Sequence, residues 1–282
     1  MKRSDGRLLK TIGPFMKILP HIASKRSDAQ IFSKQLIVTE GIDAYIKEKS
    51  AQGFDMSYLH VMIAVFVRVI AQRPQLNRFI MDSRVYARNQ ICISLVIKKA
   101  LRDEGEETSL KFVFTGTESI FEVAKIVDHN IESSAPIGAS NSADKIAAAI
   151  MSLPHFIVKF LVAVLKFMDR HNLLQRAILE ASPFHTSLFF TYLKSINLDY
   201  VYHHLYDFGS TGIFAALGKS KRVVIAEGDD PAVRKCCEIG YVLDERICDG
   251  IYFSNSFKLV KKYLNNPHLL EEKLEKITED VL

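Results

Sequence analysis

Tryptophan is absent from these 282 residues, and cysteine occurs only four times, as Cys92, Cys236, Cys237 and Cys248. Adjacent residues such as Cys236 and Cys237 rarely meet disulfide geometry together, and no C-x-x-C spacing occurs, so neither a disulfide framework nor a metal site is expected. A reduced, cytoplasmic chain is the simplest setting for such thiols. Glycine and proline number only 13 and 8, which beside 48% apolar residues excludes collagen-like and disordered classes. The N-terminal MKRSDGRLLK lacks the apolar core of a secretory signal. No Walker sequence, no G-x-G-x-x-G and no internal repeat is present.

Charge is unevenly spread. Residues 1–34 hold eight Lys and Arg against two Asp, whereas the whole chain is only +5. A basic stretch can meet nucleic acid, an anionic membrane or phosphates. These cations are spaced out and lack interleaved aromatic platforms, so no nucleic-acid contact is expected. The preferred reading is a solvated basic arm over residues 1–30, lying on a neighbouring subunit.

Beyond the arm, AQIFSKQLIVTEG and IDAYIKEKSAQG predict a strand followed by a helix. DMSYLHVMIAVFVRVIAQR is apolar nearly all round and stops at Pro74, as a buried helix does. Strand-like runs follow at Arg84–Ala87, Ile91–Ile97 and Leu110–Phe114, then helical spacing over Glu118–Ile131. After a loop at 133–145, the sequence predicts a helix capped by Ser152 with Pro154 in its first turn. Its apolar run, Phe156–Met168, gives only ~20 Å of helix and carries Lys159 and Lys166, too short and too charged to span a bilayer. Residues 152–170 could make peripheral membrane contact. The preferred reading packs this helix on the body of the protein or on a sister subunit. Four more strands (Ser187–Tyr192, Gly212–Leu217, Arg222–Glu227, Glu238–Leu243) and a helix near Ile251–Leu264 complete an α/β pattern with a mixed sheet.

The stretch IGYVLDERICDGIYFSNSFKLVKKYLNNPHLL closes an apolar strand with a charged turn, Asp244-Glu245-Arg246-Ile247-Cys248-Asp249-Gly250. It resembles the D-H-R-x-x-D-G motif of the 2-oxo acid dehydrogenase acyltransferase catalytic domains, which are similar in turn to chloramphenicol acetyltransferase. Arg73-Pro-Gln-Leu-Asn77 resembles that family's P-x-L-N turn. LFFTYL resembles the strand bearing its catalytic hydroxyl, placing Thr191 at that position, and GIFAALGK resembles the next strand. The resemblance covers about 30–135 and 185–270.

It implies a two-layer α/β sandwich, a mixed β-sheet flanked by helices, as one domain over 31–282 with a helical insertion at about 140–182. It also implies a homo-oligomer, specifically a trimer with sites at its interfaces, and coenzyme A or acyl-CoA as co-substrate with a small-molecule acyl acceptor. By position Glu245 takes the place of the family's basic histidine, Thr191 supports the oxyanion, and Asp249 holds the turn through an arginine, for which Arg26 is the candidate. Glu245 and Thr191 are expected to meet across a subunit boundary. A carboxylate base is handicapped against imidazole by about 3 kcal/mol when it takes a thiol proton. Two readings follow: an acyltransferase using Glu245, or a catalytically inactive CoA- or acyl-binding or scaffolding homologue. His203 and His204 are candidates for a substitute base. Cys248 reads as a packed residue and not a nucleophile. The family's G-L-x-x-P-V-I segment has no counterpart after Ile97.

Overall fold

Pro74 ends the apolar run as expected, and the helix before it is the one around which the rest is laid. In chain order the elements are β1 (Gly6–Leu8), α1 (Pro14–Ile22), β2 (Gln30–Val38), α2 (Glu40–Ala51), α3 (Tyr58–Gln72), β3 (Arg78–Met81), β4 (Arg84–Arg88), β5 (Ile91–Lys98), β6 (Glu107–Phe114), α4 (Ile120–Ser134), α5 (Ser142–Met151), α6 (His155–Arg170), α7 (Arg176–Ala181), β7 (Leu188–Tyr192), β8 (Ile213–Leu217), β9 (Lys221–Glu227), β10 (Asp230–Asp244) and α8 (Gly250–Asn265). The structure, a computed structural model, describes residues 3–98, 103–105, 107–134 and 142–282. Part of the loop expected at 133–145 therefore lies outside the described residues, as does part of the segment after Ile97.

Seven strands form the main sheet in the order β2-β10-β8-β7-β5-β6, with β9 pairing the first half of β10. β5, β7 and β8 run parallel, whereas β10 runs antiparallel to β8 and to β2. The sheet is thus mixed, as expected. Alternation along each strand sorts the residues: Leu188, Phe190, Ile213, Tyr241 and Leu243 belong to the main core with α3, α4 and α8. Helix α3 is buried on almost every side, and Phe66 meets Phe190 edge-to-face at 5.4 Å. Ser57 caps α3 by accepting from His60 N, while His60 Nδ1 accepts in return from Ser57 N. The architecture is the two-layer sandwich that the sequence implied.

The opposite sheet face carries Phe189, Phe214 and Val242, which with Leu205 make a second, smaller core. Segment 199–208 crosses this face over glycine. A Cβ on Gly240 would come within 2.6 Å of the Val201 carbonyl oxygen, and one on Gly218 within 2.4 Å of Tyr200 N.

Three expectations need correction. Residues 6–22 are not a solvated arm: β1 pairs with β4 in a three-stranded sheet, and Leu9, Ile12 and Pro20 are buried. Ser152 does not cap α6. Its hydroxyl donates to Ala149 O at the end of α5, and Pro154 occupies the cap position of α6 without a side-chain bond. The expected packing of α6 on the body is only partial: Asp169 is its one buried residue, and Ile157, Val158, Leu161, Val164, Leu165 and Met168 are half-buried.

Asp169 is nonetheless a firm anchor. Arg3 donates to its backbone carbonyl (3.0 Å) and to its carboxylate (3.1 Å), and His185 Nε2 lies 3.0 Å from the other carboxylate oxygen. His185 Nδ1 is 2.8 Å from Ser182 Oγ. Burial opposes charge on Asp169, but His185 and Arg3 outweigh it and hold the carboxyl below its usual range. Burial lowers His185 despite Asp169, so the folded chain keeps a neutral imidazole where the unfolded chain accepts a proton. Stability therefore falls as pH drops through the ordinary histidine value near 6.5. Urea midpoints should be lower at about pH 5 than at about pH 7, and His185→Gln should flatten that dependence.

Candidate active site

The motif turn begins where β10 leaves the sheet. Asp244 is fully buried there and faces two arginines. Arg246, itself 2% exposed, grips it in a fork: Nε donates to Oδ1 and Nη2 to Oδ2, each at 2.7 Å, and the Arg246 backbone N–H adds a third bond at 3.1 Å. Arg26 Nε stands 3.7 Å from Asp244 Oδ2 on the far side. Arg26 spends its other donors on the carbonyls of Tyr206 (2.6 Å), Gly209 (2.9 Å) and Ile80 (3.3 Å), and Arg246 reaches the Ala23 carbonyl (2.8 Å). Burial lowers Arg26, with Asp244 opposing.

The arginine expected on Asp249 is thus on Asp244 instead. Asp249 holds the turn by another route. It is the N-cap of α8, and its carboxylate accepts from Tyr252 N at 2.8 Å. The Arg73-Pro-Gln-Leu-Asn77 turn packs on the same first helical turn. The Arg73 guanidinium lies 3.6 Å from the Tyr252 ring centre, and Gln75 N donates to Tyr252 Oη. Arg78 then donates to the Ile247 carbonyl and forms a two-point ion pair with Asp280, tying the last residues to the turn.

Within this frame Glu245 is exposed while residues 244 and 246–248 are buried. Its backbone N–H donates to Ala29 O at 3.0 Å, and its carboxylate makes no hydrogen bond or ion pair among the described residues. Beside the turn, an open groove of about 430 Å³ runs between β2 and α8, where Ser33, Gln35, Ser254, Lys258 and Lys261 offer polar and cationic groups. Cys248 is 1% exposed and burial raises its thiol, in keeping with a packed residue.

Thr191 is half-buried on β7, on the same sheet face as Phe189, and its hydroxyl has no hydrogen-bond partner among the described residues. Register sets its distance from Glu245. Thr191 pairs with Ala216 on β8, and Ala216 with Gly240 on β10, five residues before Glu245. At ~3.3 Å per residue and ~4.8 Å per strand, the two lie about 20 Å apart in one chain. His203 is half-buried with its ring stacked 4.0 Å over Phe214, and exposed His204 stacks on it at 4.6 Å. Among the described residues, no group of three His, Cys, Asp or Glu is placed to hold a metal ion.

This fold recurs in solved structures. A probable dihydrolipoamide acetyltransferase from Listeria monocytogenes 4b F2365 matches with a TM-score of 0.55 and 15% identity, over 90% of this chain and 93% of that one. The fold is that of an acetyltransferase core. The dihydrolipoamide acetyltransferase of Azotobacter vinelandii matches at a TM-score of 0.57 and 10% identity, over 93% of each chain. Chloramphenicol acetyltransferase matches at 0.57 and 12%, over 92% of this chain and 99% of that. No protein-family model and no curated protein matches the sequence. For the Azotobacter enzyme, a serine, a histidine and an asparagine are the residues whose catalytic role was investigated, the last two being four positions apart.

The sequence pattern singles out Glu245, Thr191 and Asp249 as candidates but not the Arg26–Asp244–Arg246 clamp. The signal available was Asp244 and Arg246 flanking residue 245 in one short turn. Asp244→Asn should cost about 3–5 kcal/mol by leaving two buried guanidinium groups short of their counter-charge. Asp249→Ala should cost about 1 kcal/mol as a lost cap. Urea unfolding of the two variants checks that order.

Proposed function

We propose that this chain is a CoA-dependent acyltransferase in which Glu245 serves as general base. The supporting observation is the placement of Glu245: an exposed carboxylate without an ion-pair partner, at the apex of a turn locked on both sides by buried groups. Glu245 takes a proton from a small-molecule acceptor, whose freed lone pair attacks the thioester carbonyl of acyl-CoA. A tetrahedral intermediate forms, and the Thr191 hydroxyl donates to its oxyanion. Collapse breaks the carbon–sulfur bond, and the CoA thiolate recovers the proton from Glu245. Lys258 and Lys261, on the groove beside the turn, suit the phosphates of CoA.

The distance between Glu245 and Thr191 requires that they come from two copies, so the proposal includes a homo-oligomer, with a trimer as the form implied by the family. Exposed apolar side chains support association. Phe32 and Leu36 line the outer face of the edge strand β2, and Val224 pairs with Val233 on the β9–β10 hairpin, 67% and 61% exposed. Four buried free thiols suit a reducing, cytoplasmic setting.

Thiol release from acetyl-CoA and longer acyl-CoAs, over a panel of amine, alcohol and thiol acceptors, tests the reading. Glu245→Gln should lower turnover by about 10²–10⁴-fold with little change in stability. Turnover untouched by that change would move the chemistry elsewhere, with His203→Gln and His204→Gln as the next variants. Absence of turnover alongside CoA binding would make the chain a binding or scaffolding homologue.

A further inference from the structure

Helix α6 is an apolar helix that this chain covers along one flank only, leaving its aromatic stripe open. Its hydrophobic side chains are nevertheless ordered in position. At 100° per residue, Phe156, Phe160 and Phe167 fall within an arc of about 40°, making an aromatic stripe roughly 16 Å long. They are 72%, 67% and 58% exposed. Lys159, Lys166 and Arg170, all exposed, fall in a parallel arc about 80° away on one side. Ile157, Leu161, Val164 and Met168 fill the other side of the stripe; Ile157, Leu161, Val164 and Met168 are half-buried. No Asp or Glu occurs between Lys145 and Met168, and Asp169 is consumed by Arg3 and His185. The connection from α5 adds exposed Met151 and Leu153.

Charge decides what this surface fits. Its rim is wholly cationic, so the occupant presents anions beside apolar matter. A second copy docked antiparallel about a two-fold axis would set one row of Lys and Arg against the other, without a carboxylate between them. The stripe is also convex, a single helix with no groove to receive a partner's ridge. An interface that deforms around three phenyl rings while offering negative groups to the adjoining cations is an anionic lipid surface. At 16 residues, α6 is ~24 Å long, suited to lying in the headgroup plane. Among the described residues, no helix is long and apolar enough to cross a membrane.

We propose that α6 docks this protein on anionic membranes, with Phe156, Phe160 and Phe167 entering the headgroup–acyl boundary and Lys159, Lys166 and Arg170 meeting lipid phosphates. The helix is held for this by its C-terminal end, through Asp169, and by α5, whose Asp144 accepts from the Thr108 hydroxyl. The docking is independent of any turnover at Glu245.

The test is co-sedimentation of the full chain with phosphatidylcholine vesicles, with or without about 30 mol % phosphatidylserine, at about 0.05 M and about 0.5 M salt. Binding is expected to the anionic vesicles alone and should fall steeply at the higher salt. Joint replacement Lys159→Gln, Lys166→Gln and Arg170→Gln should weaken partitioning by about a hundredfold, near fivefold per charge. Joint replacement Phe156→Ser, Phe160→Ser and Phe167→Ser should abolish it, with an unchanged circular dichroism spectrum and melting midpoint, because the three rings are exposed. Absence of binding to anionic vesicles at low salt overturns the proposal, as does wild-type binding by either triple variant. If the serine variant instead lowers the mass measured by light scattering while wild type ignores vesicles, the stripe is a contact between copies and the proposal fails.

Discussion

A single buried carboxylate organises the end of this fold where β10 leaves the sheet. Asp244 sits where β10 leaves the sheet, and two guanidinium groups converge on it, Arg246 from its own turn and Arg26 from near the N-terminus. Two cations on one anion leave an excess positive charge in the interior, and carbonyl oxygens answer it. Tyr206, Gly209, Ile80 and Ala23 each accept from one of the arginines. The clamp therefore fixes not one turn but four separate stretches of chain. Glu245 is rigid because both of its neighbours in sequence are held, and accessible because nothing holds its own side chain.

Strand direction imposes the second constraint. β10 runs against β7 and β8, so the turn after it emerges at the end where β7 begins, whereas Thr191 lies near the end where β7 stops. Glu245 and Thr191 are therefore separated by the length of the sheet. The proposed acyl transfer, which uses both, calls on two copies of the chain. The apolar side chains left on β2 and on the β9–β10 hairpin make such a boundary available.

Much of this could be read from residue order. The all-round apolarity before Pro74 gave a buried helix, alternation gave the strands of the mixed sheet, and the charged turn marked the end of β10. What escaped the reading depends on distant pairing. β1 is three residues long and is a strand only because β4 lies beside it. Arg26 was matched to Asp249 by motif position, but burial and register bring it to Asp244, and the helix cap already occupies Asp249. Ser152 looked like a start signal for α6, yet α5 ends just before it and takes its hydroxyl first. The exposure of α6 was also hidden, since an apolar helix spells the same sequence whether or not the chain covers it.

The clamp also bears on the order in which the molecule can be assembled during synthesis. The contact from Arg246 to Ala23 spans 223 residues, and that from Arg26 to Gly209 spans 183. At ~5–20 residues per second, the N-terminal partners wait on the order of 10–50 s for the turn to be made. Through that interval Arg26 stays hydrated and β1 has only β4 to hold it. The turn after β10 closes late in synthesis, and a chain released short of it leaves Arg26 without the carboxylate of Asp244.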